Sequence, residues 1–184
     1  LSQDDFVRTL STAPTAGRTR AEGLRVPMSK MLRKYGISDS RLRFAHFLAQ
    51  VGHETGWWQY REELGNERYF RTMYEIISFQ EAVEDYRSGL ARRLGLIRSG
   101  ETEQQYEARR PVAVAAKAAT MGNGIANAVA GGRADDGSRF RGRGFLQITG
   151  RRNYTGYSSY RGQNFVDDPN PALLATDDFN ACDA

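Results

Sequence analysis

The chain has 184 residues, enough for one domain with a sizeable core. Hydrophobic residues make up 40% and charged residues 26%, which excludes a disordered polymer. No run approaches the roughly 18 apolar residues of a membrane-crossing helix, and a single Cys182 excludes an internal disulfide. The formal net charge is +4, carried almost wholly by arginine, since Lys30, Lys34 and Lys117 are the only lysines. A basic protein is drawn to anionic polymers, although ordinary solvated arginines give the same count. Nothing after Leu1 reads as a secretion signal, so synthesis in a cytoplasm without a visible signal peptide is the expectation.

Asp4 to Leu10 reads as a short helix with Phe6 and Leu10 on one face, and Thr12 to Gly17 as a loop. Arg20 to Tyr35 is a second helix with an apolar stripe of Leu24, Met28, Met31 and Leu32, ended by Gly36. Ser38, Asp39 and Ser40 supply the cap of a third helix, in which Phe44, Phe47, Leu48 and Val51 recur at spacings of three and four. Gly56 breaks that pattern and opens a loop. Ser78 to Arg98 reads as one helix, with Phe79, Val83, Tyr86, Leu90 and Leu94 toward the core. The doublets Arg92-Arg93 and Arg109-Arg110 suit an anionic glycan or a partner protein, and equally a solvated face. Val112 to Met121 is an Ala-rich helix, followed by a turn at Met121 to Gly124. Arg139 to Ile148 reads as a strand pair bent at Gly142 and Gly144, which puts Leu146 and Ile148 inward and Gln147 outward.

Two carboxylates stand nine residues apart, at Glu54 and Glu63. Glu54 lies three beyond Val51 and seven beyond Phe47, on the apolar side of the third helix. A carboxyl group there is poorly solvated and favours its protonated form, the state of a general acid. Glu63, among Arg61, Glu62 and Asn66, sits in a wetter setting suited to a base. Carboxyls in contrasting settings are what glycosidic bond hydrolysis needs. His53-Glu54 does not extend to a zinc protease motif, because Trp57 occupies the place of the second His. Arg139 to Gly144 has an arginine–glycine flavour, but it occurs once between ordered elements, so no nucleic-acid partner is expected. Tyr60 is the aromatic residue best placed to stack on a sugar ring.

Ala45-His46-Phe47-Leu48-Ala49-Gln50-Val51-Gly52-His53-Glu54-Thr55-Gly56, together with Phe140-Arg141-Gly142-Arg143-Gly144-Phe145-Leu146-Gln147-Ile148-Thr149-Gly150-Arg151-Arg152-Asn153-Tyr154, closely resembles glycoside hydrolase family 19. That family holds chitinases and phage endolysins. The clear resemblance spans Leu42 to Glu63 and Met121 to Asp183. It implies a mainly α, lysozyme-like α+β fold, a helical domain with a small β-hairpin beside the cleft. A single catalytic domain over 1–184 is expected, with a charged helical insertion at about 74–120 and a C-terminal end short of the family's usual extent.

The resemblance implies an inverting mechanism in which Glu54 is the general acid, Glu63 the general base and Thr149 a holder of the attacking water. It matches Gln147 and Asn153 to side chains that bind sugar N-acetyl and hydroxyl groups. Arg143, in the second motif, is a candidate partner for muramic acid carboxylates. No metal or organic cofactor is implied. The expected substrate is the peptidoglycan glycan strand, favoured by basic charge and by the lack of plant-type cysteines. Chitin is the alternative, and an inactive glycan-binding module a third. An enzyme of this kind acts on the cell wall without inserting in a membrane, as a monomer, and the insertion is where an immunity or inhibitor protein would bind.

Overall fold

The computed structural model describes residues 3–124 and 134–184, and its order is helical almost throughout. The helices are α1 (Gln3–Thr9), α2 (Thr15–Lys34), α3 (Arg41–Glu54), α4 (Glu67–Tyr74), α5 (Phe79–Arg87), α6 (Leu90–Arg93), α7 (Glu103–Met121), α8 (Asp136–Arg139), α9 (Arg151–Arg161), α10 (Leu173–Thr176) and α11 (Asp178–Asp183). The chain gathers into two compact units. One comprises Leu1–Glu63, Gly142–Ile148 and Tyr157–Ala184; the other comprises Leu64–Arg141 and Thr149–Gly156.

The first unit is built on α1, α2 and α3. Phe6, Leu24, Met28, Leu32, Phe44, Leu48 and Val51 form its core with Trp58 and Phe145. The stripes read from the sequence on α2 and α3 are therefore the buried ones, with Met31 and Phe47 at their margin. Helix α2 starts at Thr15, earlier than expected, and takes Gly17 into its first turn. Gly17 must be small: a Cβ there would lie 2.5 Å from the carbonyl oxygen of Trp57. Gly36, at φ 64, ends the run by adopting the left-handed conformation that glycine reaches without strain. The Ser40 side chain then accepts the Arg43 amide and starts α3.

The second unit holds the charged segment 74–120, which carries α5, α6 and α7. Its core is Ile77, Ala82, Ala91, Tyr106 and Val114. Capping boxes at Ser78/Glu81 and Thr102/Gln105 start α5 and α7. The single helix expected over Ser78 to Arg98 is two helices, because Gly89 (φ 73) and Gly95 (φ 65) turn left-handed and end each one. The buried face differs too. Phe79 is 56% exposed, while Asp85 is buried one face away. Tyr86 packs against the core as expected, but the face is shifted toward Asp85, whose carboxylate accepts from Arg68 Nη2 (2.7 Å), Arg68 Nε (3.0 Å) and Thr72 Oγ1 (2.9 Å). The second arginine doublet is not a solvated face. Arg109 grips both oxygens of Glu101 at 2.6 and 2.8 Å, and Arg110 is buried, donating to Thr72 O, with burial pushing its pKa down.

No paired strands form among the described residues; the expected hairpin at Arg139 to Ile148 is replaced by α8 and a tight loop. Isolated bridges join Arg143 to Ile148 and to Glu62. Gly144 (φ 76) and Gln147 (φ 56) leave the extended region, so side chains no longer alternate with period two. Phe145 enters the core and Leu146 is 57% exposed, the reverse of the expected alternation. The amides of Phe145 and Leu146 donate to Ala181 O (2.9 Å) and Ala184 O (3.2 Å). Helix α11 thus takes the hydrogen bonds a second strand would have received.

Candidate functional site

Glu54 is the last residue of α3 and is exposed. The expectation of a desolvated carboxyl on the apolar face is corrected. At about 100° per residue, position 54 lies roughly a quarter-turn from the centre of the Phe44–Leu48–Val51 stripe. Its Oε1 accepts from Gln50 Nε2 at 2.7 Å, one helical turn back. The carboxyl is open to water and steadied by a neutral amide.

The chain beyond Glu54 reverses hand. Gly56, Trp57 and Trp58 have φ of 56, 62 and 69, three successive left-handed residues of which two are tryptophans. For a residue with a Cβ this conformation costs about 1–2 kcal/mol. Several contacts offset that cost. Buried Thr55 donates Oγ1 to Val51 O (2.6 Å) and accepts the Trp58 amide (2.8 Å). The Trp57 amide donates to Gly52 O (2.7 Å). Trp58 is fully buried, edge-on to Phe6 (5.4 Å) and Phe145 (5.2 Å). Burying about 200 Å² of aromatic surface contributes on the order of 5 kcal/mol, more than the conformation costs. Trp57 and Tyr60 stay exposed at 46% and 47%, and the Tyr60 ring lies close over Gly56.

The turn delivers residues 61–63 to the glycine-rich loop. Gly144 N donates to Arg61 O (2.9 Å), and Glu63 N donates to Gly142 O (2.8 Å). Gly142 N returns a bond to Glu63 Oε2 at 3.2 Å. The carboxyl of Glu63 is thereby anchored on backbone, and the two sequence motifs meet within the first unit. Arg143 is only 4% exposed, and its Nε donates to Glu62 Oε1 at 2.7 Å. The structure gives Arg143 the work of tying Glu62 to the loop. Gln147, half-buried, turns its Nε2 back onto Gly144 O (2.8 Å).

Thr149 and Asn153 belong to the second unit. Asn153, exposed at the start of α9, donates its Nδ2 to Thr149 O at 2.8 Å, and Thr149 is half-buried. Their footing is a buried core of Phe140 edge-on to Tyr154 (5.1 Å), with Tyr154 Oη donating to Arg141 O (2.8 Å). Among the described residues no three His, Cys, Asp or Glu side chains gather as a metal site, and no helix is long and apolar enough to cross a membrane.

Sequence reasoning missed a heavily bonded carboxylate of the first unit. Asp183 of α11 has a fully buried side chain. Its Oδ1 accepts from Lys34 Nζ and Tyr35 Oη, both at 2.8 Å, and its Oδ2 from Tyr157 Oη (2.8 Å) and Arg161. Burial alone would push this carboxyl up, but Lys34, Tyr35, Tyr157 and Arg161 outweigh it and hold it below its ordinary value. No local pattern marks Asp183, because its partners lie up to 149 positions away.

No family model matches the chain. It is 27% identical over 146 residues, 78% of its length, to a glycosyl hydrolase family 19 domain-containing protein of Haemophilus influenzae, and the match spans 60% of that relative. This distant likeness agrees in kind with the family that the two motifs resemble.

Proposed function

We propose that the chain is a glycoside hydrolase of the family 19 type that cleaves the glycan strand of peptidoglycan with inversion. The observation that carries this reading is the construction of the acid–base pair. Glu54 stands exposed at the end of α3, and Glu63 is pinned to Gly142 by two hydrogen bonds, with a rigid left-handed turn between them. Glu54 protonates the leaving oxygen, and Glu63 takes a proton from water on the opposite face of the sugar. Inversion needs the two carboxyls about 6.5–9.5 Å apart, so that the water fits between them. Gln147 and Tyr60 contact the sugar. The basic charge favours the anionic cell wall over neutral chitin, because steering acts on a charged polymer alone.

Digestion of purified sacculi and of colloidal chitin, read by reducing ends and mass spectrometry, tests the proposal. Muropeptides with intact peptide stems are expected. Cleaved stems would mean an amidase or peptidase, and equal turnover of chitin would mean a chitinase.

A further inference from the structure

The first unit carries a second arrangement of aromatic and cationic groups that shares no residue with the acid–base pair. Tyr35, at the end of α2, is 44% exposed, and Tyr160, on α9, is 59% exposed. Their hydroxyls lie 3.1 Å apart in a shared hydrogen bond. The ammonium of Lys34 stands over both rings, 4.8 Å from the Tyr35 centroid and 5.0 Å from that of Tyr160. The buried Asp183 carboxylate fixes Lys34 and Tyr35 from beneath. Two exposed rings are thus locked by a charged hub before any ligand arrives.

We propose that Tyr35 and Tyr160, braced by Lys34 and Asp183, form an auxiliary platform on which a pyranose ring of the glycan polymer stacks. The proposal rests on the reading of the substrate as a glycan. Three features favour this occupant. Two half-exposed tyrosines offer on the order of 200 Å² of surface, the size of a sugar ring and far short of the roughly 800 Å² a protein partner buries. The rings are already immobilised, so stacking forfeits little side-chain entropy. The fixed hydroxyls at their edges can exchange hydrogen bonds with sugar hydroxyls, which suits a ligand with an apolar face and a polar rim. The platform would hold the chain on an insoluble polymer between cuts.

Co-sedimentation with purified sacculi and with colloidal chitin tests this without requiring turnover. Tyr160→Ala leaves the Asp183 bonds in place and is expected to weaken binding to the insoluble polymer about tenfold, the effect of losing roughly 1.4 kcal/mol of stacking. Tyr160→Phe, which keeps the ring, should bind within about threefold of the parent. Hydrolysis of a soluble peptidoglycan glycan fragment should be the same in all three proteins. Tyr160→Ala that folds normally by circular dichroism and sediments like the parent overturns the platform, as does a parent that binds neither polymer. A parent that binds but never hydrolyses, with binding lost in Tyr160→Ala, refutes the catalytic reading and upholds the platform.

Discussion

Asp183→Asn tests whether the buried carboxylate hub holds the first unit together. The side chain is fully buried and accepts from two cations and two phenols. Removing one partner of a buried ion pair costs about 3–5 kcal/mol, because the other charge is left uncompensated. Here the lower figure applies, since the Lys34 and Arg161 side chains are 39% and 24% exposed and water screens part of the loss. Asparagine keeps one acceptor oxygen, which limits the damage further. A loss of about 3 kcal/mol corresponds to a fall in Tm of about 6–12 °C for a chain of this size. The sign with pH follows from a native carboxyl held below its ordinary value of 3.8. Its stabilisation is fully present above that value and is lost as pH falls through the native one. Thermal melts of both proteins at neutral pH should therefore differ by the full amount, and the gap should close in acid below about pH 4. A difference under about 1 kcal/mol at neutral pH, or one that widens in acid, would refute the reasoning.

Glu54→Gln should lower turnover of sacculi by roughly 10²–10⁴, the usual worth of general acid–base catalysis, with an unchanged circular dichroism spectrum; activity within twofold of the parent removes Glu54 from the mechanism. Glu63→Gln should lose a comparable factor, and added azide should restore part of it as a substitute base; full activity without azide would point to another carboxylate. Gly144→Ala forces a Cβ into a left-handed residue and to 2.6 Å from Ala184 Cβ, so a loss of about 2–4 kcal/mol and a Tm lower by about 4–16 °C are expected in a thermal melt. Cys182 is buried, which pushes its thiol up to about 12; it should resist a disulfide reagent at pH 8 and react at once in denaturant, and rapid native labelling would contradict its placement.

Periodicity revealed the helices whose apolar stripes are unbroken. Leu24, Met28 and Leu32, like Phe44, Leu48 and Val51, needed only a count of three and four, and both stripes are buried. It failed where a buried polar group displaced an apolar one: Asp85 occupies the inward face of α5 because Arg68 and Thr72, at other places in the chain, satisfy it. The hairpin was misread because glycines that permit a bend also permit a left-handed loop, and only the amide partners on α11 decide between them. At the candidate site, the resemblance names Glu54 and Glu63, but the hydrogen bonds between residues 61–63 and Gly142 and Gly144 join positions about 80 apart that no local pattern links. The exposure of Glu54 was misjudged because position 54 lies at the edge of the stripe, where a few tens of degrees of helical phase decide between core and water. Arg143 looked available for substrate, and its pairing with Glu62 is a tertiary fact that spacing does not encode.

The left-handed turn at Gly56, Trp57 and Trp58 bears on how such a surface can be altered by selection. It separates neighbours in the sequence by fate: Trp58 is locked into the core, while Trp57 and Tyr60 emerge beside it into solvent. Substitutions at 57 and 60 can therefore change what the surface presents to solvent without touching the residues that keep the turn in place. A saturation library over those two positions should contain many folded members, and glycine at 57 should even gain stability by relieving the backbone. The same library at 58 should be almost empty. Adaptability and rigidity sit one peptide bond apart.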